Sequence, residues 1–346
     1  MEMREYEPLK NRTTLRVGGV ARYFAEAKSE EEAREVCIFA KEKNLPLFVL
    51  GGGSNVVVAD AGFSGVVLSP HMRGIEIVEE NEQTVTLSLG AGEVLDSLIE
   101  ETVARGYWGL ENLSLIPGFV AGLAIQNVGA YGVEASEYID TVRAFDRETG
   151  EYVTLKNTEC DFGYRSSRFN TIDKGRFVVT ALTLTLSKVP TPMLSYRGVA
   201  ERLGESKEQE DIRRVIMDIR KEKDLDPETV WSVGSFFKNH EVSKAEYQSI
   251  LARLTPTQQS FLTARVFPLA DSYKIPSAAL IDMLELKRTC IGGACVSAMQ
   301  ANMLVNTGEA TAEDIHALYG RVVGVVYAAT GITLQNEPEF VEVRGS

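Results

Sequence analysis

Four cysteines and three histidines are all that this chain of 346 residues holds for thiol or imidazole chemistry. Cys37, Cys160, Cys290 and Cys295 form no CxxC pair, which leaves a zinc site or a thioredoxin-like redox couple without support. The expectation is buried, reduced thiols and no metal. Long hydrophobic runs are missing as well. No apolar stretch approaches the roughly 20 residues of a membrane-spanning helix, and the opening MEMREYEPLK has no apolar segment ahead of a small-residue cleavage site, so a cytoplasmic place of work is expected. Positive charge is scarce. Lys and Arg number 36 against 49 Asp and Glu, a net charge of −13, which argues against nucleic acid or anionic membrane as a partner because both need a clustered basic surface. An anionic small molecule stays open wherever a few cations gather.

What is present is an ordinary globular balance, 44% hydrophobic and 25% charged residues, over a length that predicts two or three lobes. In SEEEAREVCIFAKEKN, Ser29 stands in capping-box relation to Glu32, and apolar positions recur at helical spacing through Val36 and Ala40, so a helix should end near Asn44. LPLFVLGGGSNVVVAD reads as a buried strand, a glycine turn and a second β-branched strand. TVTLSLGAG and RFVVTALTLTLSK alternate with period two, and VRAFDRETGEYVTL predicts a hairpin about Glu148–Gly150. Charge rises around residues 190–230, as a helix and connector between lobes would show. The last helix is predicted in TAEDIHALYGRVVGVVYAATG, capped by Thr311 and Asp314, with Ile315, Leu318, Val322 and Val325 on one face and a stop at Gly331.

Gly51, Gly52, Gly53, Ser54 and Asn55 follow the first of the paired strands. Glycines permit a tight turn whose backbone N–H groups open toward a phosphate, although a plain β-turn would use the same residues. A dinucleotide fold of Rossmann type would begin a helix there, whereas NVVVAD is strand, and GxxxxGK[ST] is absent. A second stretch, IPGFVAGLAIQNVGAYG at 116–132, adds Gly118, Gly122 and Gly129 with Gln126 and Asn127 as a polar pair. Two glycine-dense turns of this kind suit FAD: backbone amides for its pyrophosphate, small residues beside its flat ring and side-chain amides for the ring edge.

Seven stretches in order, NRTTLRVGGVARYF, LFVLGGGSNVVV, IPGFVAGLAIQNVGAYG, CDFGYRSSRFN, VGSFFKN, IGGACVSAMQANMLVN and LQNEPEF, resemble the UDP-N-acetylenolpyruvoylglucosamine reductase (UDP-N-acetylmuramate dehydrogenase) family of bacterial peptidoglycan synthesis. The likeness runs from about Asn11 to Val341. It implies an α+β chain: a two-lobed FAD-binding domain of the PCMH, vanillyl-alcohol-oxidase-like type (residues 1–70 and 71–212) and a C-terminal α+β substrate-binding domain (213–346). By the same resemblance Arg165, Ser235 and Glu339 are the catalytic residues. The resemblance also implies Tyr196, Lys223 and Asn239 at the substrate, and the UDP end needs cations, which Lys223, Lys238 and Arg220 could supply. The chain departs from the family pattern at Ala121 and Ala124, where glycine and proline are usual, at His240 in place of proline, in KDLDP, and in PSAALID, which lacks the usual Gly-Trp.

The implied reaction reduces the enolpyruvyl ether of a UDP-sugar to a lactyl ether with NADPH as electron source and FAD bound noncovalently, since His71, His240 and His316 lie outside both glycine stretches. A guanidinium at Arg165 suits the substrate carboxylate through two parallel hydrogen bonds. Glu339 would hold the enolate or orient another donor, and Ser235 would give the proton that completes the product. Two other readings fit parts of this pattern: a flavin oxidase of the same fold that passes electrons to oxygen, and a flavin-free protein that binds UDP-sugars.

Overall fold

In the computed structural model, which describes residues 2–196 and 198–342, the period-two pattern of TVTLSLGAG becomes the strand Thr84–Gly90, with Val85, Leu87 and Leu89 buried. It lies in a five-stranded antiparallel sheet ordered Glu151–Lys156, Ile139–Asp146, Phe177–Ser187, Thr84–Gly90, Ile75–Glu80. The expected hairpin is present: Asp146 pairs with Glu151, and Gly150 at φ +78° donates its N–H to the Asp146 carbonyl. One face of the sheet packs on the helices Leu95–Ala104 and Ala121–Gln126 through Leu98, Ile99, Leu123 and Ala124. The second helix contains two of the departures from the family pattern, Ala121 and Ala124, each buried.

A smaller sheet holds Val20–Ala27, Phe63–Pro70 and Leu47–Val49 in parallel register, Phe24 opposite Val67 and Leu47 opposite Val66. The helix Glu30–Glu42 supplies the crossover. Its Ser29 cap accepts the Glu32 N–H, its Ala33, Val36 and Ala40 are buried, and Asn44 just beyond takes φ +51°. The spacing of its apolar residues and the cap explain both ends.

Elsewhere four short strands order as Trp231–Ser232, Leu304–Asn306, Ala294–Val296, Cys290–Ile291, and His240–Ser243, Ser272–Ile275 and Phe267–Pro268 form a second small sheet. Glu339–Val341 pairs in parallel with Val56–Val58. The final helix, Ala312–Thr330, has the Thr311–Asp314 capping box and ends at Gly331, φ +79°. Its buried face is Ile315, Leu318, Val322 and Val326; Val325, expected inside, is 36% exposed, because steps of three, four and four residues track the helical period more closely than a final step of three.

The chain divides into two units: residues 1–7, 21–53 and 63–221, and residues 8–20, 54–62 and 222–346. The contiguous cut expected at 1–70, 71–212 and 213–346 is not the one that contacts draw, since the second unit recruits two early segments and the first keeps the helix Gln209–Glu222 to Lys221.

The cysteine expectation needs correction at two positions. Cys290 and Cys295 face each other across an antiparallel hairpin, Cα atoms 4.1 Å apart, and form a disulfide; Cys290 is exposed. Their spacing is not CxxC; strand register joins them. Cys37 and Cys160 are free and buried.

Candidate active site

Gly53 takes φ +65° and Gly118 φ +118°, a region in which any side chain is strained. A Cβ on Gly52 would lie 2.6 Å from the Cα of Gly118, so the two glycine-dense stretches touch within the first unit. Gly51 and Gly122 differ from them: a Cβ at either position meets nothing within 4 Å. Open space bordered by close-packed backbone fits a pyrophosphate and a flat ring, and FAD passes that test.

The second turn is anchored by residues that the sequence did not single out. Asp96 Oδ1 accepts the N–H of Leu115 at 2.6 Å, and Leu115 holds a strained φ of +62°. Arg213 grips both oxygens of the same carboxylate at 2.7 and 3.1 Å. Burial alone would raise the Asp96 carboxyl, but the Arg213 hydrogen bonds and the Leu115 amide outweigh it and hold the group below its ordinary value. No local motif joins residues 117 positions apart.

Arg165 sits on a tight turn closed by reciprocal bonds between Gly163 and Ser166 (2.9 and 3.1 Å), at φ +53°. Its Nη2 donates to the Gly129 carbonyl at 2.6 Å. Gly129 has no room for a side chain here: a Cβ would lie 2.9 Å from the Val133 carbonyl and 3.2 Å from Arg165 Nη1. Asn170 ties the turn to the glycine stretch, since its amide nitrogen reaches both Gln126 Oε1 (3.2 Å) and the Arg165 carbonyl (3.3 Å). Asn127 is 1% exposed, and its amide is engaged by the chain itself: Nδ2 donates to the Gly163 carbonyl and Glu134, and Oδ1 accepts the Ser136 N–H. The ring-edge amide expected at Asn127 therefore serves the Arg165 turn, while Gln126 is half-buried. Tyr196, 40% exposed, meets Tyr131 edge to face at 4.9 Å.

In the second unit Ser235 is exposed between half-buried Gly234, at φ +74°, and Phe236 and Phe237, both at most 1% exposed. Among the described residues its hydroxyl has no hydrogen-bond partner. Residues 335–339 lie alongside: Lys238 donates its N–H to the Gln335 carbonyl and Glu337 donates its own to that of Phe236, each at 2.8 Å. The same segment continues into Glu339, whose N–H reaches the Asn55 carbonyl at 2.9 Å, and the Asn55 amide returns a bond to the Glu337 carbonyl at 3.3 Å. Ser235, Lys238, Glu339 and Asn55 thus share one framework. Lys223 is half-buried, and His240, expected as a departure, opens the strand beyond Asn239 with its imidazole lowered below the ordinary value by burial. Gly51–Gly53 belong to the first unit and Ser54–Asn55 to the second. No group of three or more His, Cys, Asp or Glu among the described residues could hold a metal, and none of their helices is long and apolar enough to cross a membrane.

Residues 21–156 match the FAD binding domain family, and residues 226–341 match the family described as UDP-N-acetylenolpyruvoylglucosamine reductase, C-terminal domain. Over 341 residues the chain is 34% identical to the UDP-N-acetylenolpyruvoylglucosamine reductase of Bdellovibrio bacteriovorus, covering 98% of this chain and 99% of that one. It is 36% identical to the Pseudomonas aeruginosa reductase over 345 residues, again 98% and 99%. Among solved structures, the UDP-N-acetylenolpyruvylglucosamine reductase of Thermus caldophilus is similar at a TM-score of 0.67, with 25% identity over 99% of this chain and 98% of that one.

Proposed function

From the premise that this chain belongs to the UDP-N-acetylenolpyruvoylglucosamine reductase family, we propose how its residues divide the work of an FAD-binding reductase in peptidoglycan precursor synthesis. Membership supports the reductase over an oxidase or a flavin-free binding protein. The substrates are small molecules, a UDP-sugar enolpyruvyl ether and NADPH, and their chemistry supports a cytoplasmic place of work.

Gly51, Gly52, Gly53, Gly118 and Gly122, with Gln126, hold FAD; Asn127 and Gly129 shape the turn that presents Arg165, and Ser54 and Asn55 continue the first glycine loop. When bound, FAD supplies the two-electron relay between NADPH and the enolpyruvyl group. The protein's own residues handle charge and proton. Once the terminal methylene carbon of the substrate receives hydride, electron density builds on the adjacent carbon and its carboxylate. Arg165, permanently charged, spreads that density through paired hydrogen bonds. Its strained φ of +53° is the kind of backbone cost that persists where a side chain must be aimed. Glu339 orients or donates to the enolate. Ser235 then gives its hydroxyl proton to the carbon and regains one from water. An enolate carbon is basic enough to take a proton from an alcohol, so no histidine beside the serine is required. Lys223, Lys238, Asn239 and Tyr196 bind the UDP-sugar, with Arg220 as a further cation.

The observation that carries this reading is Ser235 itself: exposed, its hydroxyl without a partner among the described residues, on a turn whose next two side chains are buried. Ser235→Ala should keep fold and FAD content yet form the lactyl ether roughly 10²–10⁴-fold more slowly, the scale for removing a positioned acid. Ser235→Cys should retain more activity than alanine. A near-normal rate in a folded, FAD-loaded alanine variant would reduce Ser235 to a turn residue.

A further inference from the structure

A proton donor works only if its oxygen is held where the carbon will accept the proton, and among the described residues the Ser235 side chain has no bond to hold it. Its geometry must come from the backbone that follows. That backbone is fastened by residues distant in sequence, Asn302 first among them. The Asn302 carbonyl accepts the Phe236 N–H at 2.7 Å. The Asn302 amide then closes both polar groups of the next residue, its Oδ1 accepting the Phe237 N–H at 3.2 Å and its Nδ2 donating to the Phe237 carbonyl at 2.9 Å. Ser277 adds a second fastening, its hydroxyl donating to the same carbonyl at 3.1 Å and its N–H to Asn239 Oδ1 at 3.2 Å.

Asn302 is in turn rigid. It is 6% exposed, between Ala301 at 2% and Met303 at 0%. Its loop is closed by Ser297, whose N–H donates to the Met303 carbonyl at 2.9 Å and whose hydroxyl accepts the N–H groups of Met299 and Gln300 at 3.1 Å each. The Ser297 hydroxyl also reaches Asp224, beside Lys223, at 3.1 Å. A buried amide with every polar atom matched to one short backbone segment is the arrangement by which supporting residues fix a reacting group.

We propose that Asn302 is the positioning residue of the proton-donating turn, and that through it Ser235 is aimed at one face of the enolate. This rests on Ser235 as the acid. Neither leucine nor alanine at this position could bridge the Phe237 N–H and carbonyl. Aspartate keeps the acceptor but sets a carboxylate against the carbonyl. A displacement of about 1 Å at a reacting group costs on the order of 10²-fold in rate.

The test uses the FAD-loaded full chain with enolpyruvyl substrate and NADPH. Asn302→Ala and Asn302→Asp should lower kcat about ten- to a hundredfold with KM for either substrate changed less than about threefold. The solvent deuterium isotope effect on kcat should rise as proton delivery becomes limiting. The carbon that takes the proton becomes a stereocentre, so water entering in place of the serine should yield some of the opposite lactyl epimer, seen by NMR of the product. In a Ser235→Ala background, Asn302→Asp should cost nothing further. An unchanged isotope effect with a single epimer, or full additivity of the two substitutions, would overturn the proposal. If Asn302→Ala does not fold, the aspartate variant decides. A normal rate in Ser235→Ala would sink the proton-donor reading itself, whereas a slow Ser235→Ala beside a normal Asn302→Asp would sink only the role of Asn302.

Discussion

Thiol reactivity follows the thiolate, and burial pushes the thiols of Cys37 and Cys160 up to about 11, which leaves on the order of one in a thousand or less ionised near neutral pH. Cys290 and Cys295 share a disulfide. The native protein should therefore give almost no colour with an aromatic disulfide thiol reagent. Unfolding without reductant should release two thiols, and unfolding with prior reduction four. Four thiols on unfolding alone would remove the hairpin disulfide from the fold. Its trace in the sequence was CIGGAC, two cysteines flanking a glycine pair at matched hairpin positions, a pattern that a search for metal and redox spacings passes over. Ser235, Arg165 and Glu339 could be nominated as candidates because ordered motifs point at them. Asn302, Ser277 and Asp96 could not, because what they do is hydrogen-bond backbone tens of residues away, and no local pattern records that.

Helices and strands were legible wherever periodicity was long and capped, as in Glu30–Glu42, Thr84–Gly90 and Ala312–Thr330. The glycine turns were legible only as turns. Which glycine serves packing and which borders open space is decided by tertiary neighbours, and the distinction separates two variants. Gly52→Ala drives a methyl group to 2.6 Å from the Gly118 Cα, backbone against backbone with no flexible side chain to yield. The two turns must part, at a cost of about 1–3 kcal/mol. Gly51→Ala meets nothing within 4 Å, and Gly51 lies outside the positive-φ glycines, so the protein without cofactor should melt within roughly 1 °C of the parent. If the open space beside Gly51 receives FAD, that methyl group should weaken FAD by about tenfold or more through lost backbone approach. Thermal melts of both apo variants and FAD titrations followed by flavin fluorescence separate the cases. Unchanged FAD affinity in Gly51→Ala would move the cofactor away from this glycine.

At the scale of the whole chain, the sequence suggests lobes laid end to end, because composition and charge change along it and contacts are invisible. The second unit is instead assembled from three separated segments. Its core includes Leu15 and Val17 from the first of them and Val57 from the second, each at most 2% exposed. Asn306 donates to the Leu15 carbonyl at 3.0 Å. Asp60 caps the final helix, its two oxygens accepting the N–H groups of Ala312 and Glu313 at 2.9 and 3.0 Å, and Val56–Val58 is the partner strand of Glu339–Val341. Three buried aliphatic side chains contribute about 1.5–3 kcal/mol each and the helix cap about 1, a sum comparable to the 5–15 kcal/mol that holds a typical domain folded. Residues 222–346 produced alone should consequently lack a cooperative melt and show poorly dispersed amide signals by NMR, although they contain Ser235, Asn302 and Glu339. The full chain with Val57→Ala should fold but melt lower, by the few kcal/mol of a buried truncation. A sigmoidal melt and dispersed spectrum for the isolated 222–346 fragment would show that the early segments decorate this unit and do not complete it.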